Sequence, residues 1–71
     1  MNVKLSSREE AVLTWLLEGM SNKEIGIMLG ISARTVQKHL TNIYGKLSVT
    51  TRGEAAAATL RQFRQRRLDA V

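Results

Sequence analysis

Neither cysteine nor proline occurs in the 71 residues, and histidine occurs once, as His39. Without cysteine there is no disulfide scaffold and no thiolate metal site. A lone histidine excludes zinc sites built on two or three of them. Without proline, nothing in the chain forbids long helices. Aromatic residues are scarce, one each of Trp, Tyr and Phe, too few for the stacking platforms of a single-strand binder. No apolar run approaches the ~20 residues of a membrane helix, and the first residues do not resemble a signal peptide. The expected setting is therefore the cytoplasm, with no membrane partner. No nucleophile–base pair, metal set or cofactor motif is visible, so neither an enzyme nor a bound cofactor is expected. Acidic residues are also few: six, against eleven Lys and Arg, which leaves +5 on a very short chain. That excess favours an anionic partner, nucleic acid before an acidic membrane.

What the chain does have is helical spacing throughout. Hydrophobic residues make up 44%, and they recur at three and four positions apart, with no strand-like alternation of useful length. The length suits one domain, residues 1–71, and the expected fold class is all-α with four helices. Ser6 with Glu9, Ser21 with Glu24 and Thr51 with Glu54 each have the spacing of a capping box. They open helices expected at about 7–18, 22–29 and 52–66. Ser32 caps a third helix, at about 33–47. Gly19 and Gly30 fall where left-handed helix ends belong. Val12, Leu13, Trp15, Leu16 and Met20 form the apolar face of the first helix. In the second, Ile25, Met28 and Leu29 are expected on one side, and Ile31 in the following turn is placed to plug the core. Gly26 inside that helix is costly by ~0.5–1 kcal/mol relative to alanine. It is either tolerated or required by close approach of another backbone. The last residues, Leu68 to Val71, are expected to fray.

The third helix is the informative one. At about 100° per residue, Val36, Leu40, Ile43 and Leu47 fall on one narrow stripe. Arg34, Gln37, Lys38, Thr41 and Gly45 fall opposite, and Thr35, His39, Asn42 and Lys46 lie on a flank. From Ala33 to Leu47 there are three cations and no acid. A helix polar merely for solvation usually mixes in Glu and Asp for paired charges. Gln, Lys and Thr are instead side chains that read base edges. A short helix, a glycine turn and a longer polar-faced helix form the helix-turn-helix plan, whose second helix enters the major groove. Lys23, at the start of the first of these helices, would then stand near phosphates, beside the helix's N-terminal amides. From Ser21 to Arg52 the balance is five basic residues to one acidic, or +4.

The segments LSSREEAVL, GMSNKEIGIMLGISARTVQKHLTNIYGKLSV and TRGEA, running from Leu5 to Ala55, resemble the LuxR/GerE-type DNA-binding domain, found also at the C-terminus of NarL/FixJ response regulators. The resemblance implies a four-helix domain that binds double-stranded DNA sequence-specifically and regulates transcription, either within a longer regulator or as a stand-alone one. It maps base contacts onto Gln37, Lys38 and Thr41. It maps phosphate contacts onto Asn22, Lys23, Arg34, Thr35 and Lys46. It also implies a homodimer on DNA through the fourth helix, where Ala57, Leu60 and Arg61 lie, and RNA polymerase as a further candidate partner. His39 falls on the histidine of the family's TVxxH motif, and Glu9 on an acid that the family uses structurally. Two positions depart from the pattern. Gly26 stands where the family normally has alanine, and Ser48 where glycine is usual.

Duller readings stand beside these. Thr35 is equally able to bond its own helix start. Trp15 and Tyr44 read as packing residues with a polar edge. The Arg61, Arg64, Arg66 and Arg67 cluster suits the negative end of a helix dipole, or else adds an anchor on phosphates. A sigma-factor region-four type domain shares the LSSRE…EIG…GIS…TV logic, although KLSV…RGEA argues against it. A helical protein-interaction module is the other rival, and a salt titration of duplex binding separates it from a DNA-binding domain.

Overall fold

The computed structural model describes the backbone of residues 4–69 and the side chains of residues 4–65. Four helices follow one another: α1 (Ser7–Leu17), α2 (Asn22–Leu29), α3 (Ala33–Leu47) and α4 (Arg52–Asp69). Among the described residues there is no strand.

Each helix begins where a short polar side chain takes up a free backbone amide. Ser6 Oγ accepts from the Glu9 amide and Ser21 Oγ from the Glu24 amide, and each glutamate reaches back to the serine's own N–H. Thr51 and Glu54 make the same reciprocal pair at α4, with Thr50 donating to Glu54 as well. Ser32 accepts from the Thr35 amide at α3. Such a cap is worth about 1 kcal/mol to its helix. The ends follow local chemistry too: Gly19 and Gly30 sit at positive φ, +85° and +71°, and close α1 and α2.

The core is a single cluster. Val12, Leu13 and Leu16 of α1, Ile25 of α2, Val36, Leu40, Ile43 and Leu47 of α3, and Ala55 of α4 are all buried in it. Leu5, Trp15, Met20, Leu29, Ile31 and Tyr44 pack around its margin, so the two aromatics are packing residues as expected. The inward stripe of α3 is the apolar one read from spacing, and α3 touches all three other helices. It is the spine on which the rest is hung.

Three local expectations need correction. Met28 is not on the buried side of α2: it is 51% exposed, while the inward positions are Ile25, Gly26 and Leu29. The buried arc of α2 lies on the Gly26 flank of Ile25, and Met28 falls on the other flank. The α4 helix runs past its expected end near Arg66, to Asp69. Leu68 and Asp69 therefore belong to it, and Ala70 and Val71 lie outside the described residues. Arginine, glutamine and leucine are good helix formers with no glycine or proline among them, so nothing local stops the helix earlier. At its other end, α1 closes at Leu17, one residue short of the expected Glu18, which is the C-cap.

Gly26 has a packing cause. It is buried, and a Cβ built on it would lie 2.5 Å from the Ile31 carbonyl oxygen. The same turn is tied down by Ile31 N–H donating to the Gly26 carbonyl at 2.9 Å. The missing side chain lets α2 and the turn close on each other. An alanine here, as in the resembled family, requires the Ile31 carbonyl to stand further off. A β-branched side chain overfills the gap, so Gly26→Val is expected to lower unfolding stability by about 1–3 kcal/mol, measurable by chemical denaturation.

Ser48 closes α3 in the left-handed region, at φ +57° and ψ 44°. It is the one described non-glycine residue at positive φ. The left-handed conformation costs an L side chain about 1–2 kcal/mol, and glycine's extra unfolded-state freedom offsets part of the gain. Ser48→Gly is therefore expected to raise stability by roughly 0.5–1 kcal/mol, seen as a higher denaturant midpoint at unchanged m.

Candidate nucleic-acid interface

The outer face of α3 follows directly from burial of its inner one. With Val36, Leu40, Ile43 and Leu47 turned inward, Arg34, Gln37, Lys38, Thr41 and Gly45 are all exposed. At 1.5 Å per residue they span roughly 16 Å of helix. Gly45 ends the stripe with no side chain and open space around it. Arg34 and Lys38, and Lys23 at the start of α2, are exposed and make no ion pair or hydrogen bond among the described residues. The three cations are thus uncompensated among the described residues, as an anion-binding surface requires.

The polar residues of this side are linked. Asn22 Nδ2 donates to Gln37 Oε1 at 3.0 Å. Gln37 Nε2 lies 3.4 Å from Thr41 Oγ1, and that hydroxyl donates to the Gln37 carbonyl at 3.0 Å. Of the three expected base-reading residues, Gln37 therefore meets one of the expected phosphate contacts, Asn22, and Thr41 is joined to it through Gln37. Lys38 stands beside them on the same helix face without a partner. Thr35 behaves as a helix-start residue: its amide donates to Ser32 Oγ, and the two hydroxyls are 3.0 Å apart. His39 is half-buried on the flank.

Lys46, one of the expected phosphate contacts, carries an internal ion pair. Its Nζ lies 2.7 Å from Glu9 Oε1, in an ion pair where Glu9 is buried and the lysine side chain is 42% exposed. Glu9 also accepts from the Ser6 amide at 2.8 Å. The Lys46 ammonium, and after it the Ser6 N–H, hold the Glu9 carboxyl below its ordinary value against the opposing effect of burial. This pair joins the start of α1 to the last turn of α3, where a cation also suits the helix dipole. Glu24 and Glu54 are likewise held low, by the cap amides and hydroxyls of Ser21 and of Thr50 and Thr51 respectively.

Sequence reasoning missed Arg52. It is the first residue of α4 and half-buried. Its Nη1 donates to Asn22 Oδ1 at 3.0 Å, and its Nη2 donates to the Met20 carbonyl. One signal pointed to it: a cation at a helix N-terminus is at the wrong end of the dipole, which suggests employment elsewhere.

On α4, Ala55 and Ala58 are buried, with Thr59 and Gln62 half-buried beside them. Ala57, Leu60 and Arg61 are exposed on the far side, Leu60 to 55%. Phe63, 59% exposed, lines an open groove against Leu13, Thr14 and Leu17 of α1. The side chains of Arg66 and Arg67 lie outside the described residues, so the cluster is described only through Arg61 and Arg64, both exposed.

Comparison with known proteins places this geometry. The family model described as "Bacterial regulatory proteins, luxR family" matches residues 3–59. The transcriptional regulatory protein LiaR of Bacillus subtilis (strain 168) is 48% identical over 52 residues, covering 73% of this chain and 25% of that protein. The chain spans about a quarter of the length of the curated relatives it matches. Among solved structures, the transcription factor GerE superposes with a TM-score of 0.76 at 38% identity, over 82% of this chain and 87% of that one. The DNA-binding domain of the response regulator ComA, in its complex with the anti-activator RapF, superposes with a TM-score of 0.75 at 36% identity, over 78% and 95%.

Proposed function

This chain belongs to the luxR family of bacterial regulatory proteins, and we propose that it docks on duplex DNA with α3 lying in the major groove. It is a helix-turn-helix DNA-binding domain of the kind that transcription regulators carry. The observation that carries the docking mode is the outer face of α3. It is acid-free, bears Arg34 and Lys38 without partners among the described residues, and projects Gln37 and Thr41 from a capped helix.

In this reading Gln37, Lys38 and Thr41 contact base edges. Lys23 and Arg34 neutralise phosphates, helped by the amides at the start of α2. Thr35 and Asn22 contribute with whatever donors their internal bonds leave. Lys46 adds the two ammonium protons not given to Glu9 and is the weakest of the set. The exposed side of α4, with Ala57, Leu60 and Arg61, meets the same side of a second chain, so that two α3 helices face one side of the duplex. The domain acts by binding rather than by catalysis, in the cytoplasm, with RNA polymerase as its downstream partner.

Selection of bound sites from a random duplex pool tests this directly. Enrichment of a defined sequence with two related half-sites is the expected result. Recovery of no sequence preference overturns base reading, and a single unrepeated half-site overturns the dimer. Salt dependence gives an independent check. Lys23→Ala or Arg34→Ala should weaken selected and random duplexes alike and make the slope of log K against log salt shallower by about 0.9. An unchanged slope removes that residue from the phosphate set.

A further inference from the structure

Arginine can only donate hydrogen bonds. This fact sets the direction of every bond in the chain that runs from Arg52 to the reading face. Arg52 Nη1 lies 3.0 Å from the Asn22 amide, so the atom of Asn22 facing it must be the oxygen. The nitrogen of Asn22 then faces Gln37, 3.0 Å away, so the atom of Gln37 facing Asn22 must also be an oxygen. Gln37 Nε2 is thereby turned away from α2, towards Thr41. Thr41 has already donated its hydroxyl proton to the Gln37 carbonyl, so it can only accept. One hydrogen of Nε2 faces Thr41 at 3.4 Å and the other is free. Oxygen and nitrogen of an amide look alike in shape, but the donor-only guanidinium at the head of the chain removes the ambiguity.

We infer that Arg52 is a positioning residue for sequence recognition: through Asn22 it fixes the Gln37 amide so that Gln37 reads DNA as a hydrogen-bond donor. The base edge that suits it carries an acceptor with no amine beside it on the same base, guanine O6 or N7 or thymine O4, whereas adenine sets its N6 amine next to N7 and cytosine offers only its N4 amine. The two-fold pairing of glutamine with adenine needs the amide oxygen and nitrogen presented together to adenine N6 and N7, and here the oxygen is turned towards Asn22 while the nitrogen is turned away from it. Arg52 is 15 residues from Gln37 in sequence and is linked to it only through Asn22. Its anchorage on the Met20 carbonyl keeps it from following Asn22 if that side chain turns. The inference rests on the DNA-reading role of α3 proposed above.

The test uses the intact chain and four duplexes that differ at one base pair, the one whose discrimination Gln37→Ala removes. The unaltered protein should prefer guanine or thymine at that position. Asn22→Asp keeps an acceptor for Arg52 but has no hydrogen to give Gln37. The glutamine amide must then turn its nitrogen to the new carboxylate and its oxygen outward. Preference should move to a base with an exocyclic amine, adenine or cytosine, by about tenfold, with the other positions of the site unchanged. The new negative charge weakens all four duplexes together, so the ratio between them is the readout. Arg52→Met should relax the discrimination at this pair alone, and Arg52→Lys should restore part of it. If Arg52→Met does not fold by circular dichroism, Asn22→Asp decides. Preference for adenine or cytosine by the unaltered protein, or an unmoved preference in a folded Asn22→Asp variant, overturns the inference while leaving α3 as the reading helix. Absence of any sequence preference in the unaltered protein overturns the reading helix itself, and this inference with it.

Discussion

Lys38→Ala is expected to lose about 1–3 kcal/mol of affinity for the selected duplex, with a much smaller loss on random sequence. Lys38 is exposed on the acid-free face of α3 and has no partner among the described residues. No bond within the protein has to break for its ammonium to reach a guanine edge, and none re-forms when it is removed. The loss therefore appears almost wholly as lost discrimination, beside the uniform loss of one counterion-releasing charge. Gln37→Ala should behave similarly at the neighbouring base pair, and it also frees the Asn22 amide. Titration of each variant against selected and random duplexes, at two salt concentrations, separates the two components. Equal losses on both duplexes would make Lys38 a phosphate contact and take it out of the base-reading set.

The largest stability change is expected at Glu9. Removing it by Glu9→Ala strands the Ser6 amide, leaves Lys46 without its partner and empties a buried site. Breaking a fully buried pair costs about 3–5 kcal/mol. Lys46 is 42% exposed and can rehydrate, so roughly 2–3 kcal/mol is expected here. For a domain of this size, where total stability is on the order of 5 kcal/mol, that is a large fraction. Urea denaturation measures it directly. A change below 1 kcal/mol would mean that the pair is incidental.

The same carboxylate ties stability to pH. Its folded-state value is depressed below the ordinary 4.5, chiefly by Lys46 and then by the Ser6 amide. The unfolded chain thus takes up a proton before the folded one does, and stability rises with pH between the two values. The Glu9 contribution is complete above the ordinary value and disappears as pH falls through the depressed one. Glu24 and Glu54, held low by their caps, act in the same direction. Acidification below about pH 4.5 should therefore destabilise the chain, and Glu9→Gln should flatten that dependence in part, leaving the share of the two caps. An unaltered acid limb in Glu9→Gln would show that the pair does not control it.

Much of this molecule was legible in its order of residues, because the forces concerned act within a few positions. Serine or threonine three residues before a glutamate satisfies free amides locally, so the starts of α1, α2 and α4 could be placed from spacing alone. The stripe Val36, Leu40, Ile43 and Leu47 has the period of a helix, so burying it leaves Gln37, Lys38 and Thr41 outside whatever the helix packs on. The family resemblance then gave those outward side chains their roles. The inward side of α4 was not legible in this way: its alanines carry little contrast between faces, and contacts with α1 and α3 decide that Ala55 and Ala58 turn inward and Ala57 outward.

The rest depended on distances in space between residues far apart in the chain. Glu9 and Lys46 are 37 positions apart, and only the packing of α1 on α3 turns that lysine from a free cation into the partner of a buried carboxylate. Arg52 and Asn22 are 30 apart, and the bond between them exists because the fold lets the long Arg52 side chain reach from the start of α4 to the start of α2. Met28 looked apolar enough for the core and was left outside, because α2 turns its Ile25 and Gly26 side inward against the following turn. Spacing along the chain thus determined which helices form and which face of α3 is polar. Tertiary packing decided which of those polar groups remain free for a partner and which are already engaged, because hydrogen bonds and ion pairs fall off within a few ångströms, a distance that residue order does not encode.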